Sequence, residues 1–271
     1  MRRLEEYAER YRNATLSRDE RGVLEVVLHD ADGGPLKWSE SAHRELPILW
    51  ADIAADPENR VVILTGTGDV FCDELDWAVW QDMEPSALWD KLFVEGKRLL
   101  ENVLSIEVPV IGAVNGPAGI HAEMIGLSDI VLAADHTTFS DKGHFQGGLP
   151  AADGVHIFWP MVLGPSRARY FLLTGQEIGA QEALGLGFVH EVLAPERLLD
   201  RARELAADLA TKTTLNLRGT RGAMVHDIRR RFVDTLGFGL ALEARAAVTD
   251  WGTPSAKDWT GREHLTPTGR D

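Results

Sequence analysis

Short runs of β-branched and aliphatic residues bounded by turn formers recur at Val23 to Leu28, Val61 to Thr65, Val108 to Val114, Ile130 to Ala133 and Phe188 to Val192, and each predicts a strand. Between them the apolar period lengthens to that of a helix. Leu88, Leu92, Leu99, Val103 and Leu104 share one helical face, and Leu198, Ala202, Leu205 and Leu209 share another, with charges opposite. Strands alternating with helices predict an α/β fold. Ser39 is placed to cap a helix ending near Asp56-Pro57, and Pro195 opens another at a position where proline is tolerated. Residues 213–249 read as one or two further helices broken near Gly237 and Gly239, and residues 251–271 as a polar extension outside the core. The expected organisation is a core over residues 1–210 with an N-terminal arm at 1–15, a helical region at 211–250, and that extension.

Length and charge narrow the function. With 271 residues, 44% of them hydrophobic, the chain has material for one sizeable α/β core. A net charge of -14 argues against a nucleic-acid surface, because phosphate binding needs clustered Lys and Arg. The single cysteine, Cys72, excludes an intrachain disulfide and points to a reducing, cytoplasmic setting. The N-terminus MRRLEEYAERYR lacks the apolar centre of a signal peptide, and no stretch approaches the ~20 apolar residues of a membrane span. No membrane partner is expected.

Several motifs are absent: a Gly-x-Ser-x-Gly elbow, a phosphate loop ending in Gly-Lys-Ser/Thr, and a His-Glu-x-x-His zinc helix. Gly66-Thr67-Gly68 resembles the start of a dinucleotide fingerprint, but Phe71 stands where the third glycine belongs. Nine histidines and 42 acidic residues include no pair with metal-specific spacing. Neither cofactor nor metal is expected. What stands out is the stretch from Pro109 to Asp153, where an apolar strand runs into Asn115-Gly116-Pro117-Ala118-Gly119-Ile120-His121, followed by His144 and Asp153. Two imidazoles and a carboxylate close behind glycine-rich turns suit acid-base chemistry in an apolar pocket.

The segments FCDELDW (Phe71 to Trp77), VPVIGAVNGPAG (Val108 to Gly119), SDIVLAADHTTFS (Ser128 to Ser140), GLPAADG (Gly148 to Gly154) and LTGQEIGAQEALGLGFVHEVL (Leu173 to Leu193) resemble the ordered landmarks of the crotonase, or enoyl-CoA hydratase/isomerase, superfamily. The resemblance covers roughly residues 15–250. It implies a superhelical stack of ββα units, a helical C-terminal region that closes the site and mediates trimerisation, and assembly as a homotrimer or dimer of trimers. Departures from the family pattern carry the functional argument. Typical members have Ala-Gly where this chain has Asp73-Glu74, and the alanine N–H supplies half of a thioester oxyanion hole. Around the second donor they have a glycine run, where this chain is one residue shorter and reads Gly119-Ile120-His121-Ala122. Of the two hydratase glutamates, one aligns with Glu123 and the other with Gly143, beside His144.

One branch has this replacement set: the β-diketone hydrolases similar to 6-oxocamphor hydrolase, which cleave a carbon-carbon bond without coenzyme A. The match includes Trp38 and His43 in KWSESAHREL, His121 in GPAGIHAEM, His144 in DKGHF, Asp153 in PAADGVH and Glu243 in LGFGLALEARAA. It implies retro-Claisen hydrolysis of a small diketone, in which neutral His144 takes a proton from water and Asp153 holds the other ring N–H. His121 would donate to a diketone carbonyl or its enolate, and Glu243 would orient the water. Trp38 would wall the pocket with support from His43, and Asp76 would hold a loop. Trp77, Trp80 and Trp89 would favour a compact apolar ligand. Each residue has a plainer reading: a helix N-cap for Asp153, a surface loop for His144, a turn carbonyl's partner for His121, core packing for the tryptophans and a solvated helix face for Glu243. The alternative function is an acyl-CoA hydratase, isomerase or hydrolase that uses Glu123.

Overall fold

The computed structural model describes residues 2–76 and 83–250. Strands β1 (Ala14–Arg18), β2 (Val23–Leu28), β4 (Val61–Gly66), β6 (Val110–Val114), β7 (Ile130–Ala134) and β10 (Glu191–Leu193) form one sheet in that spatial order. β1 runs antiparallel to β2, and the remaining neighbours are parallel. Parallel neighbours need crossovers that cover both faces, so their strands are continuously apolar rather than alternating. β6 accordingly has every residue buried.

On one face, Leu198, Ala202 and Ala206 of α8 (Pro195–Leu209) pack against Val61, Ile63, Ile111 and Leu132. On the other lies a larger core that takes in α2 (Glu40–Ala55) and α3 (Pro85–Val103). A second layer pairs β3 (Leu36–Trp38) with β5 (Cys72–Leu75) in parallel, and β8 (Thr138–Phe139) with β9 (Ile178–Gly179) in antiparallel fashion. Ala118 joins these pairs through bridges to Cys72 and Phe139. Units of two strands and a helix thus follow one another as expected, and the site forms where their loops meet.

Two local expectations need correction. The strand placed at Phe188 to Val192 begins only at Glu191, because the N–H groups of Phe188 and Val189 close onto the Ala183 carbonyl at the end of α7 (Ala180–Gly185). Residues 214–250 form a single helix, α9 (Thr214–Asp250), without a break at Gly237 or Gly239. Tertiary packing outweighs the cost of glycine in a helix here. A Cβ on residue 239 would lie 2.2 Å from the Ala152 carbonyl oxygen and 2.3 Å from Cε1 of His156, so α9 reaches the loop bearing Asp153 only because glycine stands there. Buried Arg221 fastens the same helix to the sheet, its Nε donating to Asp129 Oδ2 at 2.7 Å. Among the described residues, no helix is long and apolar enough to cross a membrane.

Candidate active site

β6 leads directly to the site. Beyond Val114, the Asn115 side chain accepts from Gly66 N–H and donates to the carbonyls of Gly68 and Val70, clamping the loop that enters β5. A Cβ at Gly116 would fall 1.7 Å from the Asp69 carbonyl, so the two loops pass each other only with glycine there. The N–H groups of Gly119 and Ile120 both donate to the Cys72 carbonyl, at 3.0 and 3.1 Å. The N–H groups around the second donor position of a thioester hole therefore already have a partner. His121 follows at the N-cap of α4 (Ala122–Gly126), with φ 49° and ψ 40°. It is the one non-glycine residue with positive φ among those described. Such a left-handed backbone costs roughly 1–2 kcal/mol, and strain of this kind often accompanies functional sites.

These loops, α3 and α9 surround a pocket of about 610 Å³ of atom-free space, part of it open to solvent. Leu75, Trp89, Leu92, Phe93, Leu240 and Ala244 supply apolar walls. The polar lining is Trp38, His43, His121, Asp141, His144, Asp153 and Glu243, all buried. An apolar cavity with a few convergent polar groups is the usual form of a small-molecule site.

Three imidazoles enter this lining, and each is held at Nδ1 by its own carboxylate. His43 meets Glu95 at 2.8 Å, His121 meets Glu123 at 2.6 Å, and His144 meets Asp141 at 2.7 Å. A carboxylate without a proton only accepts, so each bond fixes the proton on Nδ1 and turns Nε2 to other uses. Asp141 occupies the place expected of Asp153. It lies three residues before His144, in a turn that brings its carboxylate to the ring, whereas Asp153 stands elsewhere in the pocket. Asp153 does not cap α5 (Val155–Leu163) either, because Gly154 occupies the N-cap and no side chain bonds there. Its Oδ1 is buried without a protein hydrogen-bond partner, and its Oδ2 lies 3.9 Å from His121 Nε2.

Asp153, His144 and Glu243 nevertheless converge. One ligating atom from each lies within 4.8 Å of the others, a spacing that lets a single oxygen atom sit about 2.8 Å or less from all three, the length of an ordinary hydrogen bond. A cation demands ligands at ~2.0–2.2 Å, so these groups would have to close further around zinc than around water. Glu243 arrives on the inward face of α9, in step with buried Phe232, Leu236, Leu240 and Ala247, and its Oε2 has no protein partner. Burial drives its carboxyl up to about 8, with the imidazole of His144 opposing and Asp153 and Asp141 adding to the rise. Burial also acts against a charged His144, but Asp141, Glu243 and Asp153 together outweigh it and hold the ring well above the usual imidazole value. At neutral pH the cluster thus carries a proton. Burial holds His43 below its ordinary value, with Glu95 opposing.

The aromatic groups adjoin the cluster through His121. The Trp38 and His121 rings are 4.0 Å apart between centroids at 45°, and His43 stands edge-on to Trp38 at 5.6 Å. His121 and His144 are 6.2 Å apart. Asp76 is exposed, and its backbone N–H donates to the Trp38 carbonyl, holding the strand end in place. Trp77 and Trp80 lie outside the described residues. Glu123 is buried and faces His121, away from the pocket lining. Asp141 and Glu95 are not among the residues that the sequence places in the site. Asp141 had a local signal in its three-residue spacing from His144, while Glu95 had none, being 52 residues from His43.

The chain is similar to known proteins over most of its length. Residues 37–246 match the enoyl-CoA hydratase/isomerase family. Carnitinyl-CoA dehydratase of Escherichia coli K12 is 32% identical over 194 residues, 71% of this chain and 73% of that protein. Among solved structures, a β-diketone hydrolase from Anabaena sp. PCC 7120, bound to (S)-3-oxocyclohexyl acetic acid, is 46% identical, covering 90% of this chain and 97% of that one with a TM-score of 0.88. An enoyl-CoA hydratase/isomerase from Mycobacterium paratuberculosis is 25% identical, covering 93% and 99% with a TM-score of 0.82. On the family match, the shared fold and the order of landmarks in the sequence, the chain belongs to the enoyl-CoA hydratase/isomerase, or crotonase, superfamily.

Proposed function

We propose that this enzyme hydrolyses a carbon-carbon bond of a cyclic β-diketone by a retro-Claisen reaction, giving a keto acid. The observation that carries the reading is the convergence of His144, Asp153 and Glu243 about a space sized for one water, beside His121 and Trp38 in an apolar pocket. The water oxygen attacks one carbonyl carbon while the cluster accepts its proton. With the ring neutral, His144 Nε2 is the receiving atom, and Asp141 stabilises the imidazolium that results. Asp153 and Glu243 hold the water in line. Collapse of the tetrahedral adduct breaks the bond to the carbon between the two carbonyls, and the electron pair passes into the second carbonyl as an enolate. His121 and Trp38 face that oxygen, and the enolate carbon finally takes a proton.

The ligand of the Anabaena relative fits this chemistry. A ring ketone bearing an acetate arm is what water generates when it opens one bridge of a bicyclic 1,3-diketone. The walls formed by Trp89, Leu92, Phe93 and Leu240 suit such a compact hydrocarbon frame. The thioester alternative is supported less well, because Glu123 is bound to His121 and the Gly119 and Ile120 N–H groups to Cys72. Assembly as a homotrimer or dimer of trimers is part of the proposal. Met224 and Phe238, both more than 60% exposed and on the same side of α9, offer an apolar surface to a second copy.

The test is substitution of the water-holding groups. His144→Ala and Asp153→Asn are expected to lower diketone turnover by ~10²-fold or more with the melting transition preserved. Near-normal rates in both variants overturn the assignment.

A further inference from the structure

We propose that Glu123 is the positioning residue that makes His121 act as an acid: by holding the Nδ1 proton, it lets Nε2 donate to the enolate only when the ring is an imidazolium. The inference rests on the retro-Claisen reading and assigns a part to the glutamate that crotonase-type hydratases would use differently.

The geometry begins at the backbone. Residues two apart on a helix do not face one another. The left-handed conformation of His121, just outside the first turn of α4, is what brings its ring to the Glu123 carboxylate, with Nδ1 and Oε1 2.6 Å apart. Both residues are buried, Glu123 to within 1% of full enclosure, so solvent does little to weaken the bond. An ionised carboxylate can only accept, hence the proton lies on Nδ1. The neutral ring then presents a bare lone pair at Nε2. Opposite it, at 3.9 Å, stands Asp153 Oδ2, another acceptor. Nothing on Nε2 can bind a carbonyl oxygen until the ring takes a second proton.

This arrangement balances the reaction. His121 gives its Nε2 proton to the enolate carbon and is left as the Nδ1–H tautomer that Glu123 already holds, so no ring rotation or tautomer exchange is needed. The proton removed from water enters the His144, Asp153 and Glu243 cluster. Asp153, near both His121 Nε2 and that cluster, is placed to return it. Water and diketone are consumed, keto acid is formed, and the enzyme regains its starting protonation. The charged and titratable groups facing His121 are Glu123 on α4, Asp153 ahead of α5, His144, and His43 on α2. Glu123 is the one bonded at Nδ1.

The experiment uses the full chain with ¹⁵N-labelled histidine rings, the His121 signals being identified by their loss in His121→Gln. In the wild type between pH 6 and 9, the ring should show the imidazolium or the neutral Nδ1–H form, never the neutral Nε2–H form. In Glu123→Gln the Nε2–H form should appear. The kcat for a bicyclic diketone should fall roughly 10- to 100-fold with KM changed less than about threefold, and the alkaline limb of the kcat profile should move to lower pH. A merely structural Glu123 would leave the limb in place. A neutral Nε2–H ring in the wild type overturns the inference, as do unchanged ring signals and an unmoved limb in Glu123→Gln. If that variant does not fold, the wild-type spectrum decides alone. If the wild type cleaves no diketone, the functional reading fails while the spectra still judge the tautomer.

Discussion

Replacing Asp141 with asparagine isolates the electrostatic support of His144. The bond from Nδ1 to Asp141 Oδ1 is 2.7 Å long, and both side chains are more than nine-tenths buried. A hydrogen bond to a charged group contributes about 1.5–3 kcal/mol, and each 1.4 kcal/mol is tenfold, so removing the charge favours the neutral ring by roughly 10- to 100-fold. Asparagine can still accept from Nδ1–H through its amide oxygen, which keeps the ring oriented and confines the change to charge. The sign follows from the wild type. Burial disfavours a charged His144, but Asp141, Glu243 and Asp153 raise it well above 6.5, so the basic form accumulates only as pH rises. The acid limb of kcat/KM should therefore move down by about one to two pH values in Asp141→Asn. The maximal rate should fall ~10- to 100-fold, because the new base is weaker and its imidazolium unsupported. Stability is linked in the same sense. A raised folded value contributes fully below 6.5 and is lost as pH climbs through that value, so the variant should be less stable than wild type at pH 6, by a margin that shrinks in alkali. The assay is initial-rate loss of a bicyclic diketone from pH 5 to 10, with urea unfolding at both ends. A folded variant whose acid limb stays in place or moves upward refutes the reasoning.

Two further outcomes follow from α9. In Gly239→Ala the new methyl would overlap the Ala152 carbonyl and His156, forcing the helix away from the Asp153 loop; thermal unfolding should show a loss of about 1–3 kcal/mol, accompanied by at least tenfold lower kcat as Glu243 is displaced. Glu243→Gln should lower kcat while gaining stability relative to wild type as pH rises from 4.5 towards 8, since burial makes the native carboxyl retain a proton that the unfolded chain releases; melting curves at pH 5 and 8.5 check the trend.

Much of the fold was legible because parallel strands covered on both faces must be continuously apolar, and Val61–Leu64 and Val110–Val114 are. The Ser39 cap and the Pro195 start were legible for the same local reason, a backbone donor to satisfy or to do without. Glycine misled at 237 and 239: both lie inside α9, and at 239 the missing Cβ makes room for a close approach that only packing reveals. Burial of Glu243 was readable from its phase with Phe232, Leu236 and Ala247, yet a lone acid on a helix invites a solvated reading. His121, His144 and Asp153 stood out behind the glycine-rich turns and again in the family resemblance, but which carboxylate meets which ring did not. Which carboxylate reaches which ring depends on turns of a few ångströms, such as the left-handed step at His121 and the one joining Asp141 to His144, and on contacts such as Glu95 with His43 between α3 and α2.

The central claim is that water, activated in this pocket, cleaves a diketone carbon-carbon bond. Its most direct test is to incubate the purified chain with a bicyclic 1,3-diketone in H₂¹⁸O, beside a parallel incubation with an enoyl-CoA thioester. The account predicts loss of the diketone and a keto acid whose new carboxyl carries one ¹⁸O, with the thioester left unconverted. An intact diketone beside a hydrated thioester would contradict it.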